Sequence, residues 1–359
     1  MLTKRIKISI ASLVGLLIFL IACNSSSPLV QKSPNDIDFA QIPYPLLSDY
    51  GFFIGEMKDL VANERVLLYE PSSTLFTDYA EKSRFVWMAE GASASIMDNT
   101  WQEIDFPDKS VLIKNFYYPD ADGGSRIVET RLLVKHEGKW NAYPYLWNED
   151  QKDAVYKMTG AMVPLAFTDS YGRHHEIDYL QPNKNQCKSC HNQNEEFKPI
   201  GPKARNLNWD LDYGNGELKN QLQKWQEMGY LNNFSAAENY QSIPSYKHED
   251  IDLNSRARAY LDANCAYCHN PLGPGSTSGL MLSYEVSDSS QLGYFKTPVA
   301  AGLGAGPHTF DIYPSKADSS IIVYRMNSSE AGVMMPELGR VMIDQEGLDL
   351  VSAWINAMK

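Results

Sequence analysis

Two copies of the motif Cys-x-x-Cys-His constrain this chain more than any other feature of its sequence. They place cysteines and histidines at Cys187, Cys190 and His191, and at Cys265, Cys268 and His269. In this motif each thiol bonds to one vinyl group of a haem, and the adjacent histidine lies beneath the iron as its proximal ligand. The sequence therefore predicts two covalently bound haem c groups.

Two other uses of paired cysteines are open. A four-thiolate zinc site draws on two Cys-x-x-Cys pairs, but such pairs usually lie about 15 to 20 residues apart. Here 74 residues separate Cys190 from Cys265. Disulfides or redox dithiols are the second alternative. Both alternatives leave the identical positions of His191 and His269 unexplained, so the motifs favour haem.

The N-terminus has the order of a secretory signal. Lys4, Arg5 and Lys7 precede an apolar run over residues 8–21, and this run ends at Cys23. A membrane span needs about 20 apolar residues, which is more than the run provides. An uncleaved anchor helix is the alternative. In either case we expect the body of the protein to be exported.

The segment Leu20-Ile21-Ala22-Cys23 resembles the end of a bacterial lipoprotein signal peptide. The resemblance implies that residues 1–22 are removed, that Cys23 is lipidated, and that residues 23–41 form a tether. The protein would then be lipid-anchored in the cell envelope and face the periplasm. Asn24 replaces the aspartate associated with inner-membrane retention, which favours the outer membrane.

Composition limits the partners. The chain has 32 Lys and Arg against 44 Asp and Glu, a formal net charge of −12. This acidic balance argues against nucleic-acid binding and suits a basic, exported redox protein as electron donor or acceptor. The five cysteines are all assigned by lipid and haem, so no thiol is left for a disulfide.

The chain changes character near residue 182. Residues 42–181 are aromatic-rich and strand-like, with short apolar segments at 84–88, 111–117, 127–134 and 140–147 separated by Gly, Pro and Asp turns, which predicts a mostly antiparallel β domain. Residues 182–359 contain both motifs and have helical spacing at 217–231, 253–264 and 344–357, the last behind an Asp344 N-cap.

The order helix, Cys-x-x-Cys-His, long loop, Met335-Pro336 and C-terminal helix resembles class I cytochrome c over residues 254–359. The resemblance implies that Met335 is the distal ligand of the second iron, with Met334 as the alternative; a thioether there favours Fe(II). In a further interpretation both methionines only fill the pocket.

The distal ligand of the first iron is open. His174, His175 and Met228 are candidates, and an unligated sixth position is another possibility. An unligated position would permit binding of small ligands or peroxide chemistry.

The whole mature chain is similar to a family of exported di-haem c-type cytochromes of poorly defined role. The resemblance implies an α+β multidomain fold: a β-rich domain at 42–181, a first haem c segment at 182–252, and a class I cytochrome c-like domain at 253–359, the haem domains being mainly α-helical. It is carried by residues 75–80, Lys82, Arg84, residues 106–114, 129–133, 147–149, 201–203, 207–208 and 335–340.

The expected function is electron transfer between exported redox partners by an outer-sphere route, with no catalytic residue. The alternative is a peroxidase-like di-haem oxidoreductase with one open iron site. A third possibility is a binding module, in which the β-rich domain recognises a partner and the haem segments are its cargo.

Overall fold

A six-stranded antiparallel sheet organises the N-terminal half of the chain in the computed structural model, which describes residues 32–120, 123–214, 216–299 and 301–359. The strand order is β10-β9-β8-β7-β4-β3. The strands are β3 (Leu67–Leu68), β4 (Glu81–Trp87), β7 (Val111–Pro119), β8 (Ser125–His136), β9 (Lys139–Trp147) and β10 (Ala154–Tyr156). The four long strands confirm the strands predicted from the short apolar segments, because β-branched and aromatic residues pack well on a pleated surface.

The two faces of this sheet pack against different parts of the chain. On the first face, Phe85, Ile113 and Leu132 lie opposite one another and pack with aromatic residues from the segment before β3. On the second face, Val86, Leu112 and Leu133 lie opposite one another and pack with residues that follow the first motif. The second face therefore brings the sheet against the part of the chain that contains the motifs.

The remaining strands form two-stranded antiparallel ribbons. The pairs are β1 (Phe53–Ile54) with β2 (Val61–Ala62), β5 (Ser95–Ile96) with β6 (Ile104–Asp105), β11 (Ala161–Thr168) with β12 (His174–Gln181), β13 (Asn192–Gln193) with β14 (Glu196–Phe197), and β15 (Asp210–Asp212) with β16 (Leu218–Asn220). Of these, β11 and β12 form the longest hairpin, which packs through Phe167 and Tyr179 on Phe116 and Tyr118 of the sheet.

The α-helices all lie after residue 183 in the described part of the chain. They are α1 (Lys184–Cys190), α2 (Ala204–Leu207), α3 (Gln221–Glu227), α4 (Leu253–Asn264), α5 (Ile321–Met326) and α6 (Gln345–Asn356). The helices predicted at 253–264 and 344–357 are confirmed, and Asp344 caps α6 by accepting a hydrogen bond from the Gly347 amide at 2.9 Å. α4 and α6 pack together through Leu261, Val351 and Ile355.

The helix predicted over 217–231 is wrong at both ends. Leu218 to Asn220 form β16, and only Gln221–Glu227 is helical. Leu218 is consequently exposed rather than on the apolar face, whereas Leu222 and Trp225 are fully buried. The Asn220 side chain starts the helix there because it accepts hydrogen bonds from the Leu222 and Gln223 amides.

The mainly α-helical character expected of the haem domains is also wrong. The molecule is β-rich, and among the described residues only α4 and α6 reach twelve residues. The physical reason is the frequency of Gly and Pro at 271–275, 298–307 and 332–339, where short 3₁₀ turns and loops replace helix. Residues Ser33–Lys359 form one compact unit; the predicted boundaries near 41, 181 and 252 stay predictions.

Three predictions concern the N-terminus. The signal peptide at 1–22, Cys23 and most of the tether lie outside the described residues. No helix in the described ranges is long and apolar enough to cross a bilayer.

Candidate functional site

The first motif is built on the short helix α1. Asn183 and Gln186 form a reciprocal capping box that starts the helix directly after Pro182. Cys187 and Cys190, three residues apart, therefore share one helix face, and His191 follows as the C-cap residue. Cys187 is buried, whereas Cys190 and His191 are half-buried.

The second motif begins where α4 ends. Asp252 caps the start of α4 by accepting a hydrogen bond from the Ser255 amide at 3.0 Å. Cys265 is the C-cap residue, and the His269 amide donates to the Cys265 carbonyl at 2.9 Å, which closes the motif into a turn. The Asn270 side-chain amide stabilises the turn by donating to the Ala266 carbonyl.

Both motif histidines are held through Nδ1. In His191, Nδ1 lies 2.8 Å from the Lys198 carbonyl, which can only accept, so Nδ1 carries the proton. In His269, Nδ1 lies 3.2 Å from the Ser278 hydroxyl, whose own proton goes to the Gly275 carbonyl. The Ser278 oxygen is thus the acceptor as well, and in both rings Nε2 keeps the lone pair that binds a metal.

The ring of His191 has a second support. It stacks on Phe197 of β14 with ring centroids 4.9 Å apart and an interplanar angle of 1°. Burial lowers the pKa of His191 and of His269 to about 4, so both imidazoles are neutral near pH 7. Neutral imidazole is the form that ligates iron.

One large cavity lies beside the second motif. It has a volume of about 710 Å³ and is lined by Cys265, Cys268, His269 and Met335, together with apolar residues such as Leu280 and Ile321. This volume lies within the range of about 300 to 1,000 Å³ that is typical of sites for cofactors and small ligands. The second pair of cysteines, their histidine and the predicted distal methionine therefore converge on one space.

The first motif reaches the same cavity. Ser189 and Cys190 belong to its lining, and Tyr267 of the second motif lies against the Cys190 sulfur. The segments that follow the two motifs are also joined, because the Asn194 amide donates to the Leu272 carbonyl at 2.9 Å. The fold thus places two motifs that are 78 residues apart in sequence in direct contact.

The loop with Met335 is held by Arg340. The buried guanidinium of Arg340 donates to the carbonyls of Met335 and Met342 at 2.9 Å and of Ser328 at 2.8 Å. Met335 lines the cavity, and Met334 does not belong to its lining. This placement favours Met335 over Met334 as the side chain that faces the second motif.

Residues 75–80 connect the sheet to the second motif by hydrogen bonds. The sequence alone did not predict this connection. The Phe76 amide donates to Asn264 Oδ1 at 2.7 Å, one residue before the motif, and Phe76 lines the cavity. Asp78 Oδ1 accepts from the Val341 and Met342 amides, both at 2.8 Å. The one signal in the sequence was the charged Asp78 within an aromatic segment. Its hydrogen-bond partners, the Val341 and Met342 amides, lie more than 260 positions away in the chain.

The candidates for the first distal ligand are engaged elsewhere. His175 Nε2 lies 2.8 Å from Asp169 Oδ2, and His174 is exposed beside Glu176. Although burial raises the pKa of Asp169, hydrogen bonds from His175 and its neighbours bring that pKa well below the ordinary value. Met228 packs against the apolar cluster around Trp225. None of the three candidates belongs to the lining of the large cavity.

Other chemistries for the cysteines fit less well. The described residues contain no group of three or more His, Cys, Asp or Glu side chains able to hold a metal ion between them. The four motif cysteines are not joined in disulfides. The Nε2 lone pairs, the paired thiols and the mainly apolar cavity, in contrast, suit covalent haem. Searches of protein-family models, curated proteins and solved structures find no match for this chain.

Proposed function

We propose that this chain is an exported, lipid-anchored di-haem c-type cytochrome that carries electrons between exported redox partners. The observation that carries the proposal is that Cys190 of the first motif lines the same cavity as Cys265, Cys268, His269 and Met335, while each motif histidine is held through Nδ1 and keeps Nε2 available. Covalent haem c at Cys187 and Cys190 and at Cys265 and Cys268 would supply one-electron Fe(III)/Fe(II) exchange.

Several residues of the chain would position the ligands of the two irons. Lys198 and Ser278 orient the two proximal histidines, and Arg340 holds the loop that presents Met335. Contact between the motifs keeps the two sites close without a side chain acting as acid, base or nucleophile. The acidic surface suits a basic redox partner, and lipidated Cys23 would keep the protein at the membrane.

The first test is the number of haems per chain. Expressed with a c-type maturation system, the protein is expected to contain two covalently bound haems by pyridine haemochrome assay and intact mass. The pair Cys187→Ser and Cys190→Ser is expected to leave one haem, and so is the pair Cys265→Ser and Cys268→Ser. A colourless wild-type protein of unmodified mass refutes the proposal.

A second candidate function is that of a peroxidase-like oxidoreductase with one open iron. This candidate is favoured by the other contacts of the three residues predicted as possible first distal ligands: His175 with Asp169, exposed His174 with Glu176, and Met228 with the apolar cluster around Trp225. Low-temperature EPR of the oxidised protein separates the two functions. Two low-spin signals that cyanide does not change support the carrier, whereas a high-spin signal together with peroxide turnover supports the enzyme. Met335→Ala should convert only the signal of the haem at the second motif, from low spin to high spin.

A further inference from the structure

A row of cations crosses the middle of the second face of the sheet. Arg84 of β4 lies opposite Lys114 of β7, and Lys114 lies opposite Arg131 of β8. Side chains at directly opposed positions have Cβ atoms about 4.5 to 5.5 Å apart, and like charges there are destabilising. We refer to Arg84, Lys114 and Arg131 as the cationic row.

Only one member of the row has a carboxylate partner. Glu129 binds the Arg131 guanidinium with two hydrogen bonds of 2.7 Å. Arg84 is only 6% exposed, and in the described part of the chain neither Arg84 nor Lys114 makes a side-chain hydrogen bond or an ion pair. The contact of Lys114 with the Phe116 ring, at 4.7 Å, supplies no counter-charge. Two adjacent cations, Arg84 buried and Lys114 half-buried, therefore lack a paired carboxylate.

The energetic consequence appears in the neighbouring groups. Burial, followed by repulsion from Arg84, lowers the pKa of Lys82 to about 7, and the same causes hold the pKa of Lys114 well below its ordinary value. Opposed cations without a paired carboxylate can form charge-assisted hydrogen bonds with a bound anion, which makes the row a candidate anion site.

The row faces the first motif. α1 and β14 pack on β9, the strand next to β8, and β14 provides the Phe197 ring under His191. Burial is the main cause of the lowered pKa of His191, and Lys114 and Arg131 are close enough to lower it further; burial raises the pKa of Cys187, and nearby Arg131 opposes that rise. The anion that occupies the row would therefore belong to whatever is attached at Cys187 and Cys190.

Resting on the proposed function, we propose that Arg84 and Lys114 bind the propionate carboxylates of the haem held by the first motif. A haem has two carboxylates, and the row has two uncompensated cations. A guanidinium matches a carboxylate with two parallel hydrogen bonds, and an ammonium adds a point charge. The site lies between two apolar clusters of the sheet, which suits a resident group better than an exchanging ion.

The test uses the haem-loaded full chain and three variants. Lys114→Met removes the charge, Lys114→Arg keeps it, and Lys139→Met removes an exposed charge at the far end of β9, five residues or about 17 Å from the position paired with Arg131. Arg84→Gln serves as a second charge-removing variant should Lys114→Met fail to fold. The haem content of each is measured first.

The midpoint potential of the first haem is then titrated, with the signal assigned from the variant that lacks Cys265 and Cys268. A unit charge about 12 Å from an iron, at an effective dielectric constant of about 20, changes an Fe(III)/Fe(II) equilibrium about tenfold. We expect Lys114→Met to favour Fe(III) by about this factor, a fall of about 59 mV. Lys114→Arg and Lys139→Met should leave the potential unchanged.

Redox-difference infrared spectra give an independent readout of the propionate carboxylate bands, which we expect Lys114→Met to shift. Two haems with unchanged potential and bands would overturn the inference and leave the proposed function intact. A wild-type potential that responds to sodium sulfate at constant ionic strength, with unchanged bands in Lys114→Met, would assign the row to a soluble anion instead. Absence of covalent haem would overturn the proposed function itself.

Discussion

Arg205 offers the sharpest test of how the two motif segments are held together. Its side chain is fully buried; it donates to Asp262 Oδ1 at 2.7 Å and also to Glu285. Asp262 belongs to α4, three residues before Cys265, whereas Arg205 belongs to α2. Arg205→Met would leave two carboxylates facing each other with no cation between them.

The expected cost follows from this burial. Removing one partner of a buried ion pair costs about 3 to 5 kcal/mol, which is a large part of the roughly 5 to 15 kcal/mol that stabilises a typical domain. Urea unfolding of the full chain, followed by tryptophan fluorescence, measures the change in the free energy of unfolding. Asp262→Asn in the same background should recover part of the loss, because it removes one of the stranded charges.

Lys152→Met is the matched control. It also removes one positive charge from an ion pair, but Lys152 and Asp150 are 78% and 56% exposed and their charged atoms are 3.5 Å apart. A change of less than about 1 kcal/mol is expected there. If Arg205→Met also cost less than about 1 kcal/mol, the bridge would not couple the motif segments and the reasoning would be refuted.

Three further predictions concern α6, the hairpin and the second histidine. Gly347→Ala places a Cβ on the Tyr260 ring where α6 meets α4, so we expect a loss of about 1 to 3 kcal/mol in urea unfolding. The pKa of Asp169 is lower in the folded than in the unfolded protein. The ionised Asp169 carboxylate therefore stabilises the fold above its unfolded pKa of about 3.9, and this stabilisation is lost as the pH falls further. Acid titration by near-ultraviolet circular dichroism should therefore show a smaller loss in Asp169→Asn than in wild type, and an equal loss contradicts this. If the second motif holds haem as proposed, Ser278→Ala removes the acceptor that makes His269 more basic, so the potential of that haem should rise in a redox titration; a fall would count against the assigned tautomer.

Local patterns were enough to predict the long strands and two of the helices. The short apolar segments at 111–117 and 127–134, bounded by turn residues, indicate strands within a local window, and α4 and α6 have both helical spacing and an aspartate N-cap. The region around Leu218 misled the same reasoning. Its apolar spacing fits a helix, but pairing with β15 holds Leu218 in a strand, and such pairing depends on residues outside the window.

The candidate site was predictable only in its covalent part. The motif cysteines and histidines follow from spacing alone. The contact between Tyr267 and Cys190 depends on how two loops fold onto each other, and the cationic row depends on the register of three strands. A register shift of one residue would move Lys114 to the opposite face of the sheet. No feature of the sequence near Lys114 fixes that register without its partners.

These contacts change how the β-rich part of the chain is best understood. As an attached recognition module, it would need only a surface and a linker. Instead, Asp78 binds the two amides that follow Arg340, and Phe76 joins both the cavity wall and Asn264. The loop that presents Met335 is thus positioned from the sheet side as well as by its own arginine. Because each motif receives part of its surroundings from residues before 135, the unit that sets the properties of both sites is the whole body of the chain.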